Sequence, residues 1–525
     1  MKKIVTLNIL ITILLGFDSN LIELPIGLTE EEKLRLDEIS LMGRSTDPPL
    51  GPIRNIAEFE RMQGVLIRYP FGISTAIISE MSEDVKIYCL VSSSQETAAY
   101  NSMNNGDVNM DNVEFILGQT DSYWTRDYGP WWVVDGENNI SIVDFTYNRP
   151  RPNDNDAPLK ISNYLDVSFY ASDIVHAGGN YMTDGLGISA SSDLVFLEND
   201  VSDSLIMDLM LNYYGIQTYH VIDDPNNTYI DHIDCWGKYL SPTKVLIREV
   251  PDSHPQYDMI EETATYFLNT LNKWGEPWDL YRVWTPNNQP YTNSLILNEK
   301  ILVPITGSSW DDDAINSYEE AMPGYEVLGF TGSWESTDAL HCRIKGIPDL
   351  QMLQIFHNPI NDSLESSQLG YQVNALIDDI SATGLIEDSL RIKWKISSME
   401  EWTMESLIQD TIISNNWIGW IPPLIESSII EYFIEATDYS GRYERHPIAG
   451  WHSFAALPTD ACDEWILGDI DNSGNWTIID VLMLGDYLTN NQINGICSQS
   501  VSDINNDNNI TIIDVIYLIN IIMNP

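Results

Sequence analysis

Three successive patterns predict a mixed α/β domain, then a small antiparallel β-sandwich, then a C-terminal pair of helices that each follow a calcium-type loop. From about residue 54 to 358, β-rich apolar runs such as GVLIRYP, KVLIREV and NSLILNEKILVPI alternate with helical stretches such as YDMIEETATYFLNTLNKW, as expected of strands joined through helices. From about 370 to 456, SLRIKWKIS and IIEYFIEATDYSGRYERH alternate in hydrophobicity between turn formers, as in a half-buried antiparallel sheet. The last segment repeats itself: GDIDNSGNWTIIDVLML from Gly468 returns as SDINNDNNITIIDVIYL from Ser502, with TIIDV unchanged.

The chain has 525 residues, 43% of them hydrophobic, enough for several cores. Its 78 acidic and 26 basic residues leave a formal net charge of -52. Such a field repels phosphate backbones and anionic membranes and attracts cations, which excludes nucleic acid as a partner and suits a cationic substrate. The same charge also serves solubility in a salty or calcium-rich exterior. Lys2 and Lys3 precede an apolar stretch from Ile4 to Phe17, with the length and charged flank of a secretory signal. Residues 1–20 are expected to direct export, to the medium or the cell surface, and residues 21–49 to form a propeptide or linker. No later run reaches the ~18 apolar residues of a membrane span.

Five cysteines after export leave at least one unpaired in the chain. Cys89, within KIYCLV, reads as a buried strand thiol. Cys462 and Cys497 stand at nearly equivalent points before the two repeats, and a disulfide between them is an open expectation.

In the first repeat Asp469, Asp471, Ser473, Asn475 (through its carbonyl), Thr477 and Asp480 occupy positions 1, 3, 5, 7, 9 and 12 of an EF-hand-type loop. The second repeat sets Asp503, Asn505, Asp507, Asn509, Thr511 and Asp514 in the same order, with Asn508 in place of the turn glycine. Each loop runs into an apolar helix with no entering helix, which resembles a dockerin-type calcium module. That resemblance implies bound Ca2+ and a cohesin-like or surface-attachment partner. Ile478, Ile479, Ile512 and Ile513 replace the polar pairs usual in cellulosomal dockerins. A calcium-stiffened tail is the alternative.

Three short runs carry the chemistry: WTRDYGPWW from Trp124, YIDHIDCW from Tyr229 and TDALHC ending at Cys342. A guanidinium is planar, permanently charged and offers five donors, so a pocket for it needs edge-on carboxylates; Asp127 and Asp234 fit. On a strand His232 and Asp234 would share one face and Cys235 would take the other, which favours Cys342 as nucleophile. A thiolate can attack the guanidinium carbon while an imidazole passes a proton to departing ammonia and then activates water. No metal is needed for this. His341, beside Cys342, is the weaker base candidate, because adjacent side chains of an extended segment diverge. Arg126 is expected to pair with an acid, Asp311, Asp312 and Asp313 to complement a helix N-terminus, and the Gly178-Gly179-Asn180 turn to approach the pocket through its backbone.

The stretches YWTRDYGPWW, YNRPRPND, HAGGNYMTDG, DDPNNTYIDHIDCWGKYL, PYTNSLILN, WDDDA and TDALHCRIKGI, in that order, resemble the bacterial Porphyromonas-type peptidylarginine deiminases, relatives of agmatine deiminases in the guanidine-modifying superfamily. The resemblance implies a pentein-type five-bladed α/β propeller over residues 50–360 and an immunoglobulin-like β-sandwich over 370–456, while the paired calcium-type loops point to a small α-helical dockerin-like domain over 462–525. It implies Cys342 as nucleophile, His232 as general acid/base, Asp127 and Asp234 on the guanidinium, and Asn293 as a further site residue. It also implies that Arg149 and Arg151 hold the carboxylate of a C-terminal arginine, with Trp124, Tyr229 and Ile230 walling the aliphatic chain. Arginine-containing peptides or proteins are then the substrates, converted to citrulline without a catalytic cofactor. The alternatives are agmatine deiminase or another small-guanidine hydrolase, and a noncatalytic calcium-dependent adhesion or scaffold protein.

Overall fold

A computed structural model of the chain describes residues 23–360, 363–367, 369–413, 415–458, 465–490, 501–505, 507 and 509–523. The expected signal segment, Cys462, Cys497 and Asn508 lie outside the described residues. Among those residues no helix is long and apolar enough to cross a membrane.

Residues 54–348 form five open sheets that repeat one plan. Trp131–Val134 pairs antiparallel with Ile140–Tyr147, and helix Ala157–Leu165 then leads to a parallel partner, Phe169–His176. The same hairpin, helix and parallel strand recur in Met182–Thr183, Ile188–Ser192, Asp203–Tyr214 and Thr218–Ile222. They recur again in Gly237–Tyr239, Lys244–Glu249, Tyr257–Leu268 and Asp279–Trp284, and in Leu295–Leu297, Lys300–Ile305, Asp311–Ala321 and Glu326–Thr331. In the fifth sheet the hairpin joins the two ends of the region: Lys345–Pro348 pairs antiparallel with Met62–Arg68, which continues through helix Thr75–Asp84 to parallel Lys86–Val91 and then Val113–Leu117. Parallel strands with covered faces read as continuous apolar runs, and KIYCLV accordingly places Cys89 in the core. Ser74 and Ser202 cap their helices by accepting the backbone N–H three residues on.

Beyond these sheets the chain is β-rich. Leu353–Phe356, Tyr371–Asp379, Asn416–Ile421 and Ile408–Gln409 form one antiparallel sheet. Its first strand precedes residue 360, so the sandwich begins while the chain is still leaving the α/β region. The facing sheet is built on Ser428–Thr437, flanked by Arg391–Ile396 and His452–Leu457. Tyr371–Asp379 shows why it is a sandwich strand: Tyr371, Val373, Ala375 and Ile377 point inward onto Ile430, Tyr432, Ile434 and Phe454, and the residues between them face outward. Helices Ile478–Asn490 and Ile512–Met523 share a small core of Ile470, Leu484, Val501, Ile504, Val515 and Leu518.

Two arginine forks hold the sandwich to the α/β region. Arg61 grips both oxygens of Glu444 at 2.8 Å and also reaches Glu299, while Arg442 grips Asp349 at 2.7 and 2.9 Å. Paired forks of this kind keep their geometry better than single contacts. Replacing Glu444 by Ala is expected to lower stability by about 1–3 kcal/mol, since the largely buried Arg61 loses its bidentate partner. A urea midpoint equal to that of the parent chain would show the fork to be dispensable.

Candidate active site

The repeated plan places functional residues at one equivalent point, the turn that enters the first strand of each sheet. Asp127 lies in the helical turn Thr125–Tyr128 before Trp131–Val134, and Gly179 in the turn Gly178–Asn180 before Met182–Thr183. His232 and Asp234 precede Gly237–Tyr239, Asn293 precedes Leu295–Leu297, and Cys342 lies in the turn His341–Arg343 before Lys345–Pro348. Ile233–Cys235 is thus a 3-10 turn, not the strand inferred from the i, i+2 spacing. The turn still carries His232 and Asp234 to the same side, because Asn180 Oδ1 accepts the Ile233 N–H at 3.3 Å and the Ser192 N–H at 2.8 Å.

These turns converge. Asn293 Nδ2 donates to Cys342 Sγ at 3.2 Å, its Oδ1 accepts the Cys342 N–H, and Cys342 Sγ lies 3.5 Å from Asp234 Oδ2. The Gly179 N–H donates to Asp127 Oδ1 at 3.2 Å, and His232 Nδ1 stands 3.6 Å from the same oxygen. A Cβ on Gly179 would come within 2.6 Å of Asp127 Oδ1, 2.7 Å of His232 Nδ1 and 3.2 Å of Asp234 Oδ2. Glycine is therefore required for the three side chains to meet. The short Gly-Gly pair understated this position.

Cys342, His232 and Asp127 are fully buried and Asp234 nearly so. Burial, with the Asp234, Asp338 and Asp127 carboxylates around it, pushes the Cys342 thiol well up. Burial beside Asp234 likewise raises Asp127, and burial lowers His232 to about 3 against the pull of Asp234. Thiol and imidazole are thus both neutral near pH 7. Neither ring nitrogen of His232, nor Asp127 Oδ2, has a hydrogen-bond partner among the described residues. A guanidinium between Asp127 and Asp234 brings donors for these carboxylates and a positive charge that favours the thiolate.

Asp234 differs, and the difference has a cause missed in the sequence. Burial opposes its ionisation, but His341 prevails and holds its carboxyl below the ordinary range. His341 Nδ1 contacts Asp234 Oδ2 at 2.7 Å and its Nε2 contacts Glu58 Oε2 at 2.6 Å. Glu58 also pairs with Arg126 at 2.8 Å and Lys238 at 2.9 Å. His341 therefore serves Asp234, not the thiol beside it, and Arg126 pairs with an acid as expected. Glu58 sits in NIAEFE, where its neighbours suggest nothing but an ordinary strand entry. Asp311 turns from its helix to accept from Tyr291, Thr306 and Gly307.

The five expected substrate contacts fall differently. Trp124 and Ile230 are buried in the cluster that contains Cys342, together with Ile26. Tyr229 is 69% exposed and lies against Gly27. Arg149 and Arg151 are not open to solvent as a carboxylate clamp would suggest; residues 23–32 cover them. Arg151 Nε donates to Glu32 Oε1 at 2.7 Å and its Nη2 to the carbonyls of Pro25 and Gly27, while Arg149 Nε donates to the Ile26 carbonyl at 3.2 Å.

In the C-terminal module one oxygen each of Asp469, Asp471 and Asp480 lies within 4.8 Å of the others, with Asp469 and Asp480 buried and Asp471 exposed. Gly474, at loop position 6, adopts φ +80°, the sharp turn such a loop needs. Asp480 accepts the Ile470, Asp471 and Thr477 N–H groups, and Asp514 accepts those of Ile504, Asn505 and Thr511. Ser473, Asn475, Thr477, Asp503, Asp507 and Asn509 line the same two loops. This donor set fits a hard cation.

Paired carboxylates, an imidazole and a thiol meeting at one buried point define a hydrolase that acts on the C–N bonds of amidines, and comparison with known proteins agrees. The model of the Porphyromonas-type peptidyl-arginine deiminase family matches residues 57–347, more than half of the chain. The chain belongs to that family. It is 24% identical over 330 residues to the agmatine deiminase of Medicago truncatula, covering 51% of this chain and 86% of that one. Among solved structures it is similar to a Porphyromonas gingivalis protein assigned as an arginine deiminase (TM-score 0.51, 17% identity, 56% of this chain and 98% of that one). It is also similar to the agmatine deiminase of Enterococcus faecalis (TM-score 0.50, 17% identity, 56% and 96%). These likenesses show the fold, that of the pentein-type deiminases, and family and relatives together support guanidine-group deiminase activity.

A buried neutral thiol reacts slowly. Iodoacetamide labelling at pH 7 with peptide mapping is expected to modify Cys342 at least about tenfold more slowly in the native chain than in urea. Equal rates in both would mean an accessible, ionised thiol.

Proposed function

We propose that the chain is an exported peptidylarginine deiminase that converts a C-terminal peptide arginine to citrulline and ammonia. The observation that carries this is the meeting of Asp127, His232 with Asp234, Asn293 and Cys342 from four strand-entering turns, around a glycine that leaves room between them. Asp127 and Asp234 take the guanidinium edge-on. Cys342 passes its thiol proton to His232 as the sulfur attacks the guanidinium carbon, His232 delivers that proton to the departing ammonia, and a thiouronium intermediate remains on sulfur. Water, deprotonated by His232, attacks that carbon; the C–S bond breaks and the ureido group leaves. Asn293 steadies the sulfur, and the chemistry draws on no cofactor.

In this reading the five sheets are the blades of a five-bladed α/β propeller over residues 50–360, preceded by a signal over 1–20 and a propeptide or linker over 21–49. The sandwich, 370–456, is an immunoglobulin-like support. Residues 462–525 are a dockerin-like module whose loops hold structural Ca2+ and whose exposed Ile478, Ile479, Ile512 and Ile513 face a cohesin-like or surface partner. Arg149 and Arg151 take the substrate carboxylate once residues 23–32 move away. A second reading, agmatine deiminase, is favoured by the covered state of those arginines and by the relatives that bear that name.

Citrulline-type product formation on a peptide ending in arginine, its C-terminal amide and agmatine separates the readings. The free peptide is expected to be preferred, Cys342→Ala to abolish ammonia release on every substrate, and Arg149→Ala to weaken the free peptide far more than the amide. Preference for agmatine would move the enzyme to the small-molecule branch.

The charge of the bound guanidinium fixes a sign for the pH dependence. Thiol ionisation is expected to control an alkaline-rising limb that lies at lower pH in kcat, where substrate is bound, than in kcat/KM, which reports the free enzyme. Coincident limbs would sink this account of thiol activation.

A further inference from the structure

The arginines and aromatic side chains expected to meet substrate, Arg149, Arg151, Trp124 and Tyr229, are all contacted by one segment of the same chain, residues 23–32. Ile26 is buried in the same apolar cluster as Trp124, Ile230 and Cys342. Trp124 Nε1 donates to the Leu24 carbonyl at 3.3 Å, and Glu23 pairs with the buried Arg68. Gly27 lies so close to Tyr229 that a Cβ there would come within 2.7 Å of its ring. Glu32 presents both carboxylate oxygens to Arg151, at 2.7 and 3.2 Å, and the Thr29 N–H donates to it at 2.8 Å. Burial opposes the charge on Glu32, yet the hydrogen bonds from Arg151 and Thr29 keep its carboxyl below the ordinary range.

The stretch that follows is of a different character. Lys33, Leu34, Arg35, Leu36 and Asp37 are exposed, and only short helical turns, Glu32–Leu34, Leu36–Glu38 and Ile39–Met42, order it. Among the described residues the Arg35 side chain is held by Glu38, at the surface, where an ion pair contributes little. Downstream the chain is fixed again: Thr46 exchanges hydrogen bonds with Ala171 of strand Phe169–His176 at 3.0 Å in both directions. An exposed stretch between two anchored ones is where a protease cuts most readily, and this one offers Lys33 and Arg35 as basic residues to cut after.

We propose that residues 23–32 are an internal inhibitor of the site, with Glu32 on Arg151 where the substrate's terminal carboxylate binds, and that proteolysis in the exposed stretch after Lys33 or Arg35 releases them. The carboxylate part rests on the reading of Arg149 and Arg151 given under Proposed function. Before the cut the segment is tethered, so its effective concentration at the site is millimolar or above. After the cut it is a free peptide and dilutes away. The enzyme is thereby silent until an outside protease specific for basic residues acts on it.

The test is made on the full chain carrying a site-specific protease sequence in place of residues 36–40. Cutting is expected to raise kcat/KM on a peptide ending in arginine at least about tenfold, the effective-concentration advantage the tether gave up. A synthetic peptide of residues 23–35 added back is expected to inhibit the cut enzyme competitively, and the same peptide with Glu32→Gln to inhibit at least about tenfold less, since a charge-assisted fork is lost. Equal activity before and after the cut, with mass spectrometry showing that the fragment has left, overturns the proposal. So does loss of cooperative thermal unfolding on release, which would make the segment part of the core. Equal potency of the two peptides overturns the carboxylate mimicry. If neither form turns over any guanidine, the deiminase reading fails, and anisotropy of the labelled 23–35 peptide decides this one: displacement from the cut chain by an arginine-ending peptide supports it, and no displacement overturns it.

Discussion

Everything at this site depends on holding two carboxylates and a thiol out of water within contact of one another. Desolvated like charges repel and drive each other toward the neutral form. Asp127 responds in that way and rises, but Asp234 does not, because His341 stands on one of its oxygens and Glu58 stands behind His341. Glu58 is in turn held ionised, against its own burial, by His341, Lys238 and Arg126. A chain of polar contacts thus runs from the buried Lys238 and Arg126 through Glu58 and His341 to one carboxylate of the pair, although burial and the nearby Arg126 disfavour the charged form of His341 itself. The site is asymmetric by construction: one aspartate is fixed as an anion, and the other becomes one when a cation arrives.

The fold explains how residues so far apart in sequence come to share this point. Each sheet begins with a hairpin whose first strand is entered by a tight turn, and each turn supplies one part of the site. A turn at the head of a strand can aim a side chain along the strand axis while the strand itself is buried on both faces. Function therefore sits in five short turns, and stability in the strands and helices that carry them. Tying Lys345–Pro348 to Met62–Arg68 makes Cys342 the last of these turns and fixes its place relative to the first.

Much of this was legible in the sequence because the turns are chemically conspicuous. Asp127, His232, Asp234 and Cys342 fall in aromatic and cysteine-bearing runs that no solvated loop would carry, and the strand and helix periods around them are clean. What was not legible depends on contacts between distant segments. Glu58 looks like any acidic residue near a strand, and only its meeting with His341, 283 residues later, gives it meaning. Ile233–Cys235 reads as a strand by alternation, but Asn180 supplies hydrogen bonds that a 3-10 turn can use. Arg149 and Arg151 suggest anion binding by their spacing; here Arg151 meets Glu32 of the same chain and Arg149 lies 3.9 Å from Glu198, and nothing in residues 23–32 announces the first pairing.

The charge balance gains a sharper meaning from the positions of the cations. With 26 basic residues against 78 acidic ones, a random placement would leave most of them paired on the surface. A minority of them, among which are Arg68, Arg126, Arg149, Arg151, Lys238, Arg343 and Lys345, is buried near the carboxylates and aromatic rings of this one region. Arg343 lies over Tyr123, Trp124 and Trp334, and Lys345 lies 3.3 Å from the centre of the Trp131 ring. The exterior is left strongly negative, which draws cations toward the protein. Inside, Arg126 and Lys238 compensate Glu58, which lets that carboxylate be buried beside the site. Attraction at long range and tolerance at short range are thus separate tasks, carried by separate sets of residues, and the scarcity of basic residues outside is the condition for both.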